Sequence, residues 1–292
     1  MTILEALNWG QKQLRETAAE KRIMQANPML DAQLLLAACL QKPTSFLFAN
    51  GEEELLVNQI NDYQRMIERR KRHEPIAHIQ QYKEFFGRDF YVNRFVLTPR
   101  PETESIIEQA LELITPNSTI IDVGTGSGAI AVTLAIHTQQ PVIAIDIDLQ
   151  ALCIAKTNAQ AHGVDHLLSF LHGSILDPYL QKNIHESGHG IIIANLPYLT
   201  PLQWELADPD VKEYEPKHAL VGGIDGLELY DKLLQQIQNN RNHLPTNLDI
   251  LLEIDPGQNK TIHSLIKEHF PQASIEILND INRQPRIVKI KI

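Results

Sequence analysis

Residues 120–132 read Ile-Ile-Asp-Val-Gly-Thr-Gly-Ser-Gly-Ala-Ile-Ala-Val. The apolar run ending at Val123 predicts a buried strand, and the run from Ala129 predicts a helix. Between them, Gly124, Gly126 and Gly128 fall within five residues. Glycines so closely spaced weaken a helix start unless the backbone must turn tightly and approach something closely. In an open α/β sheet this turn lies at the carboxyl edge of the strands, where ligands sit. Asp146 ends the next strand-like run, 22 positions after Gly124. A carboxylate there can accept hydrogen bonds from both hydroxyls of a ribose. Loop and acid together point to an adenosine-containing cofactor and leave open a nicotinamide dinucleotide or S-adenosylmethionine.

The surrounding chain supports a sheet. Strand-like runs STIIDV, PVIAID, LLSFL, GIIIAN and LDILLEI are joined by helix-like runs AIAVTLAIH, LQALCIAKTNAQAH and LELYDKLLQQIQ. NKTIHSLIKEHF and the strand candidates ASIEIL and RIVKIKI follow. Strands separated by helices predict an α/β fold with a mostly parallel sheet covered on both faces. The last two, adjacent in sequence, predict an antiparallel edge. Residues 1–80 instead read as a small helical bundle. Leu4, Leu7 and Leu14, then Leu30, Leu34 and Leu35, recur at helical spacing, and Asn27-Pro28 suits a helix start. A third helix is expected over 52–72, with Leu56, Ile60, Tyr63 and Ile67 on one face. Between bundle and sheet, YKEFFGRDFYVN predicts a β-hairpin turning at Gly-Arg-Asp, within a linker at 81–98.

Two details favour S-adenosylmethionine. The spacing is G-x-G-x-G, not the G-x-G-x-x-G of dinucleotide binding. Asp122 also precedes the loop, and the resulting D-x-G-x-G-x-G resembles methyltransferases. A carboxylate there can help to hold the cationic methionine end of the cofactor, directly or through water. At the end of the fourth strand run comes Asn195-Leu196-Pro197-Tyr198, facing the same crevice as the glycine loop. It resembles the Asn-Pro-Pro-Tyr string of methyltransferases acting on planar amino groups, with Leu196 where a proline is usual. An amide nitrogen is a poor nucleophile, so the enzyme must supply alignment and hydrogen-bond acceptors. Asn195 and the carbonyl of Leu196 can accept the two amide N–H groups. Pro197 stiffens the turn, and Tyr198 can pack against the acceptor. Asn195, Pro197 and Tyr198 are therefore the candidate catalytic residues, and residues 195–198 the substrate clamp.

Further strings join these in order: Thr98-Pro99-Arg100-Pro101-Glu102-Thr103-Glu104, Glu215-Pro216-Lys217-His218-Ala219-Leu220, Gly222-Gly223, Asp225-Gly226-Leu227 and Leu252-Glu253-Ile254 before Gln258. Together they resemble the release-factor glutamine methyltransferase family, HemK or PrmC. The resemblance implies a Rossmann-like class I methyltransferase domain at 99–292, mostly parallel with an antiparallel edge. It implies S-adenosyl-L-methionine as cofactor, leaving as S-adenosyl-L-homocysteine. The expected substrate is the Gly-Gly-Gln glutamine of class I peptide chain release factors, methylated at the side-chain amide nitrogen by a monomeric enzyme. Cofactor contacts carry over to Gly124, Thr125, Gly126, Ser127, Gly128, Asp146 and Asn195, and to Ser174 near the adenine. The helical domain and hairpin would then hold the release factor. Asp255 stands where a glycine is usual. A ribosomal-protein glutamine methyltransferase and an adenine N6 methyltransferase remain as alternatives.

Composition narrows the field. The formal charge of −10 argues against broad nucleic-acid binding. No apolar run approaches the length of a membrane span. Cys39 and Cys153 read as reduced core residues, which predicts a cytoplasmic protein. The cluster Arg65, Arg69, Arg70, Lys71 and Arg72 reads as a solvated helix end or a partner-binding patch. His185-Glu186-Ser187-Gly188-His189 matches a zinc-protease string, but glycine and an adjoining strand predict a loop, and no metal is expected.

Overall fold

The computed structural model describes residues 1–21, 27–182, 188–280 and 282–292. The chain forms two compact units. The first comprises Met1–Tyr82 together with Asp208–Tyr214. Its helices are α1 (Ile3–Lys21), α2 (Pro28–Leu40), α3 (Thr44–Ala49), α4 (Val57–Lys71) and α5 (Ile76–Gln80). Asn27 caps α2 by accepting the Leu30 N–H, with Pro28 in the first turn. Leu7, Leu14, Leu35, Leu36, Tyr63 and Ile67 form the core of this unit. Leu4 and Leu30 belong to the expected apolar series but are exposed. Leu56 is also exposed, because α4 starts at Val57 and leaves it outside the first turn. Four of the five residues of the basic cluster form ion pairs. Arg65 meets Asp62, Arg69 meets Glu74 and Lys71 meets Glu68. Arg70 bridges Asp31 at 2.7 Å and Asp210 at 2.6 Å.

The second unit comprises Lys83–Ala207 and Glu215–Ile292. Strands β1 (Tyr82–Phe85) and β2 (Arg88–Tyr91) make the hairpin. Its turn is Phe86-Gly87 rather than Gly-Arg-Asp. Both turn residues hold positive φ, 51° and 73°, as a two-residue hairpin loop requires. Arg88 and Asp89 thus fall within β2. After α6 (Glu104–Leu113) the sheet alternates β3 (Thr119–Val123), α7 (Ala129–Thr138), β4 (Val142–Asp146), α8 (Leu149–Ala161) and β5 (Leu168–His172). It continues through α9 (Asp177–Leu180), β6 (His189–Ala194) and α10 (Pro201–Glu205). Helix α11 (Pro209–Tyr214) lies in the first unit. Then come α12 (Glu228–Asn239), β7 (Asn247–Glu253), α13 (Asn259–His269), β8 (Ser274–Asn279) and β9 (Pro285–Lys291).

The strand order is β5-β4-β3-β6-β7-β9-β8. The first five are parallel, and β9 pairs antiparallel with both β7 and β8. The mostly parallel sheet and its antiparallel edge are as the alternation predicts. From β3 the chain builds outward first through β4 and β5, then on the other side through β6 and β7. The gap between β3 and β6 is therefore the switch point of the sheet, where a ligand crevice opens. Cys153 departs from expectation: it is exposed, since α8 buries Ala151, Leu152, Ile154 and Ala155 and turns position 153 away. Cys39 is half-buried. His185, Glu186 and Ser187 of the zinc-like string lie outside the described residues, while His189 opens β6 and meets Asp249 of β7 at 2.8 Å. Among the described residues, no helix is long and apolar enough to cross a membrane.

The sheet core fixes where the strand ends lie. Ile192 of β6 is fully buried among Ile121, Ile250 and Leu233. Ile192→Ala is expected to cost about 2–5 kcal/mol, read as a fall in the urea midpoint without a change of slope.

Candidate functional site

The pairings Val123↔Ile145 and Val123↔Ala194 bring three strand ends together. A cavity of about 380 Å³ opens beyond them. The glycine loop and Asp146 line it, as do Ser174 and Ile175, Asn195 to Pro197, Arg100 and His218. Asp146 and Pro197 thus share one cleft.

Three features of the loop suit a bound group. A Cβ on Gly126 would meet nothing within 4 Å, and its φ is +55°. The chain there is a bare backbone facing open space, in a conformation that favours glycine. Asp146 is held in place by two backbone donors, Gly126 N–H at 2.8 Å and Asp148 N–H at 2.9 Å. Each carboxylate oxygen keeps a further lone pair for a ligand hydroxyl. Burial pushes the Asp146 carboxyl up, and those two N–H bonds pull it back. Gly124, Thr125 and Ser127 line the same wall. Gly128 is not a lining residue; it gives α7 close packing on Ala155 of α8.

Asp122 lies beneath the loop rather than in the cavity wall. It is fully buried. Its Oδ2 accepts from the Thr125 hydroxyl at 2.6 Å and from the Ala131 N–H at 3.1 Å, while Oδ1 has no partner. Desolvation pushes its pKa up to about 7, against the pull of those two bonds; the nearby Asp146 charge adds to the rise. The acid ties the start of α7 to the glycine loop.

At the other end, the side chain of Asn195 donates from Nδ2 to the Thr103 hydroxyl at 3.2 Å. Its Oδ1 is buried with no hydrogen-bond partner. An orphaned acceptor on a lining residue is costly unless a ligand satisfies it. The Leu196 carbonyl already accepts from the buried Tyr230 hydroxyl at 3.3 Å, which leaves it one lone pair. The Leu196 side chain packs over Gly124, so the residue that replaces the usual proline clamps the two motifs together. Tyr198 does not line the cavity; it packs against the main core, and burial drives its hydroxyl pKa upward.

The supports of this loop come from residues to which the sequence alone assigns no role. Leu199 N–H donates to the Leu220 carbonyl at 2.8 Å, and Gly222 N–H to the Leu199 carbonyl at 3.0 Å. A Cβ on Gly222 would fall 2.0 Å from the Pro197 oxygen, so only glycine lets the two backbones meet. Gln258 Nε2 donates to the Tyr198 carbonyl at 3.0 Å. Asp255 holds that glutamine: its side chain accepts the Gly257 N–H at 2.9 Å, and its own N–H donates to Gln258 Oε1 at 3.0 Å. The departure from glycine at 255 is therefore a cap on a supporting turn. Ser174 lines the cavity and receives Lys232 Nζ at 2.9 Å. Beside it Ile175 holds φ +53°, a conformation β-branched residues avoid.

Two family models match different parts of the chain. Residues 5–80 match the PrmC N-terminal domain, and residues 100–214 match the ribosomal protein L11 methyltransferase (PrmA) model. The release factor glutamine methyltransferase of Bacillus cereus is 33% identical over 99% of this chain and 98% of its own length. That of Bacillus subtilis is 34% identical over 98% and 96%. Among solved structures, the hMettl16 catalytic domain in complex with MAT2A 3′UTR hairpin 1 aligns with a TM-score of 0.54 at 14% identity, covering 88% of this chain and 90% of that one. A human methyltransferase 10 domain containing protein aligns at 0.51 and 16%, covering 70% and 88%. These two likenesses concern the fold alone.

The buried acid beneath the loop makes a testable demand. An acid whose folded pKa is raised loses stability as pH climbs from its ordinary value through the raised one. Asp122→Asn keeps the shape and removes the charge. It is expected to raise the melting temperature near pH 8 relative to the parent, and to flatten the decline between about pH 4 and pH 8. Thermal scans of the ligand-free protein across that range check it; an unchanged slope would contradict the assigned burial cost.

Proposed function

We infer the chemistry of this site from one premise: the chain belongs to the release factor glutamine methyltransferase family. It transfers a methyl group from S-adenosylmethionine to the side-chain amide nitrogen of a release factor glutamine. The observation that carries this reading is the unpartnered Asn195 Oδ1 in a cavity that also contains the bare Gly126 backbone and the anchored Asp146.

Asp146 would accept the ribose hydroxyls, the loop from Gly124 to Ser127 would take the methionine end, and Ser174 with Ile175 would border the base. When bound, this cofactor supplies an electrophilic methyl on a sulfonium. The chain's own work is alignment. Asn195 Oδ1 accepts one N–H of the substrate carboxamide, and the remaining lone pair of the Leu196 carbonyl accepts the other. Both amide hydrogens held in this way turn the nitrogen lone pair toward the methyl. Pro197 keeps the turn stiff, and Tyr198 anchors it from the core side. The nitrogen gains the methyl, and its surplus proton passes to water afterwards. No side chain needs to act as a base before transfer.

The substrate glutamine is that of the Gly-Gly-Gln motif in class I release factors, recognised by surface beyond the cavity, because a single side chain offers too little contact for specificity. The helical unit is the proposed holder. A chain lacking residues 1–80 is expected to keep cofactor binding, which reports its fold, while methylation of intact release factor disappears. The L11 methyltransferase match over residues 100–214 favours a second reading, a ribosomal-protein acceptor. Against it stand the PrmC N-terminal match and the near full-length relatives.

Labelled S-adenosylmethionine offered in parallel with release factor, ribosomal protein and nucleic acid separates the readings; label is expected in the release factor. Asn195→Ala is expected to lower kcat by about 10²–10³, the usual loss for one preorganised polar contact, with an unchanged melting temperature. Parental turnover in that variant would refute the clamp.

A further inference from the structure

Glu253, the last residue of β7, is a buried carboxyl that the clamp described above does not use. It is 1% exposed, and its Oε2 has no hydrogen-bond partner. Ala194 pairs with Leu252, so the next residues along the two parallel strands, Asn195 and Glu253, leave the sheet side by side. The single Tyr230 hydroxyl hydrogen, shared between the Leu196 and Glu253 carbonyls, reinforces this placement. The Glu253 carboxyl is in hydrogen-bonding contact with Thr103 and Asn195. Thr103 in turn receives Asn195 Nδ2 at 3.2 Å.

A side-chain amide can be turned either way in a site of this shape, and what decides is the polarity of its neighbours. An ionised carboxylate only accepts hydrogen bonds. The Thr103 hydroxyl beside it must therefore give its hydrogen to Glu253. Its oxygen is then left as an acceptor, so Asn195 must offer Nδ2 to it. Oδ1 is thereby reserved for a donor on the substrate. With a neutral neighbour the constraint vanishes: the Thr103 hydroxyl can rotate and donate to Asn195, and the amide can present N–H to the substrate. A donor cannot receive the N–H of a carboxamide.

We propose that Glu253, directly and through the Thr103 hydroxyl, is a positioning residue that fixes the polarity of the Asn195 amide so that an acceptor faces the substrate nitrogen. This rests on the methyltransferase reading of the site. The groups around Glu253 set the conditions. Arg286 of β9 favours its charge, and Glu102 opposes it. The Tyr198 and Tyr230 hydroxyls also lie close, each with its own pKa raised partly by Glu253. Arg286 is itself shared with Asp280 at 3.3 Å. Burial outweighs the Thr103, Arg286 and Asn195 interactions and pushes the carboxyl up to about 7. The ionised, polarity-setting form is then gained as pH rises through neutrality.

The test uses the full-length enzyme with intact release factor at saturating cofactor. Glu253→Gln keeps size but can donate as well as accept. Its kcat is expected to match the parent within about twofold near pH 6 and to fall about tenfold or more below it near pH 8, with KM for S-adenosylmethionine unchanged. The ratio of the two cancels the separate titration of Asp122. Thr103→Val, which removes the relay but leaves the direct Glu253–Asn195 contact, is expected to lose a smaller part of that factor near pH 8, and Thr103→Ser to restore it. A parent-to-variant ratio that is flat with pH, or a Glu253→Gln enzyme as fast as the parent near pH 8, overturns the inference while leaving the substrate reading intact. A parent that leaves release factor unlabelled overturns both.

Discussion

The constraint on which the rest depends is the parallel pairing of β3 with β6, in which Val123 lies beside Ala194. A parallel sheet covered on both faces has little freedom of register, because a slip by one residue moves every buried side chain to the opposite face and against the wrong packing partners. Once Ile120, Ile191 and their neighbours are buried, Gly124 and Asn195 must emerge at the same edge. The binding loop and the acceptor motif are therefore brought together first by the backbone hydrogen bonds of this strand pair. Leu196 over Gly124 closes the remaining gap.

What surrounds this edge is a set of polar groups bought at a cost in stability. Asp122, Asn195 and Glu253 each carry a buried oxygen without a partner. Unsatisfied buried polar atoms are few in folded proteins and call for a reason. Here they cluster under and around one cavity, and each has a distinct one. Asp122 holds the glycine loop from below; on the proposed reading Asn195 awaits a substrate N–H and Glu253 sets the polarity of the Asn195 amide. Two carboxyls pushed up to about 7 within one site also mean that its charge state changes around neutral pH.

Much of this was legible in the residues. The alternation of apolar runs predicts the sheet, because a strand buried on both faces has few alternatives to a continuous apolar stretch. The glycine spacing and Asp146 mark the ligand edge for a similar reason. Partnership was not legible. The sequence lets Asp122 hold a ligand directly or through water, and the fold buries it under the loop, bonded to Thr125 and Ala131. It assigns Tyr198 to the acceptor, whereas the half-buried side chain packs against the main core and does not line the cavity. It includes Glu253, Thr103, Gln258 and Gly222 only in strings that carry a resemblance and gives them no role, because they lie far from Asn195 along the chain and reach it only once β7 and the stretch after Pro216 are folded. The nearest signal was the glycine pair at 222–223, unexplained by any turn. Exposure was similarly hidden at Cys153, where an apolar neighbourhood in sequence says nothing about the side of the helix.

The division of the chain also carries a consequence for how its parts can be exchanged. The helical unit is not confined to the first eighty residues. The chain leaves the α/β unit after Ala207, contributes Asp208–Tyr214 to the helical one, and returns at Glu215. Asp210 on that excursion shares Arg70 with Asp31, and the Tyr214 hydroxyl caps the Arg72 carbonyl. A chimaera that swaps only the amino-terminal segment between relatives would strand a carboxylate opposite a foreign surface. The transplantable module is discontinuous, and the seven-residue excursion has to travel with the helices it was matched to.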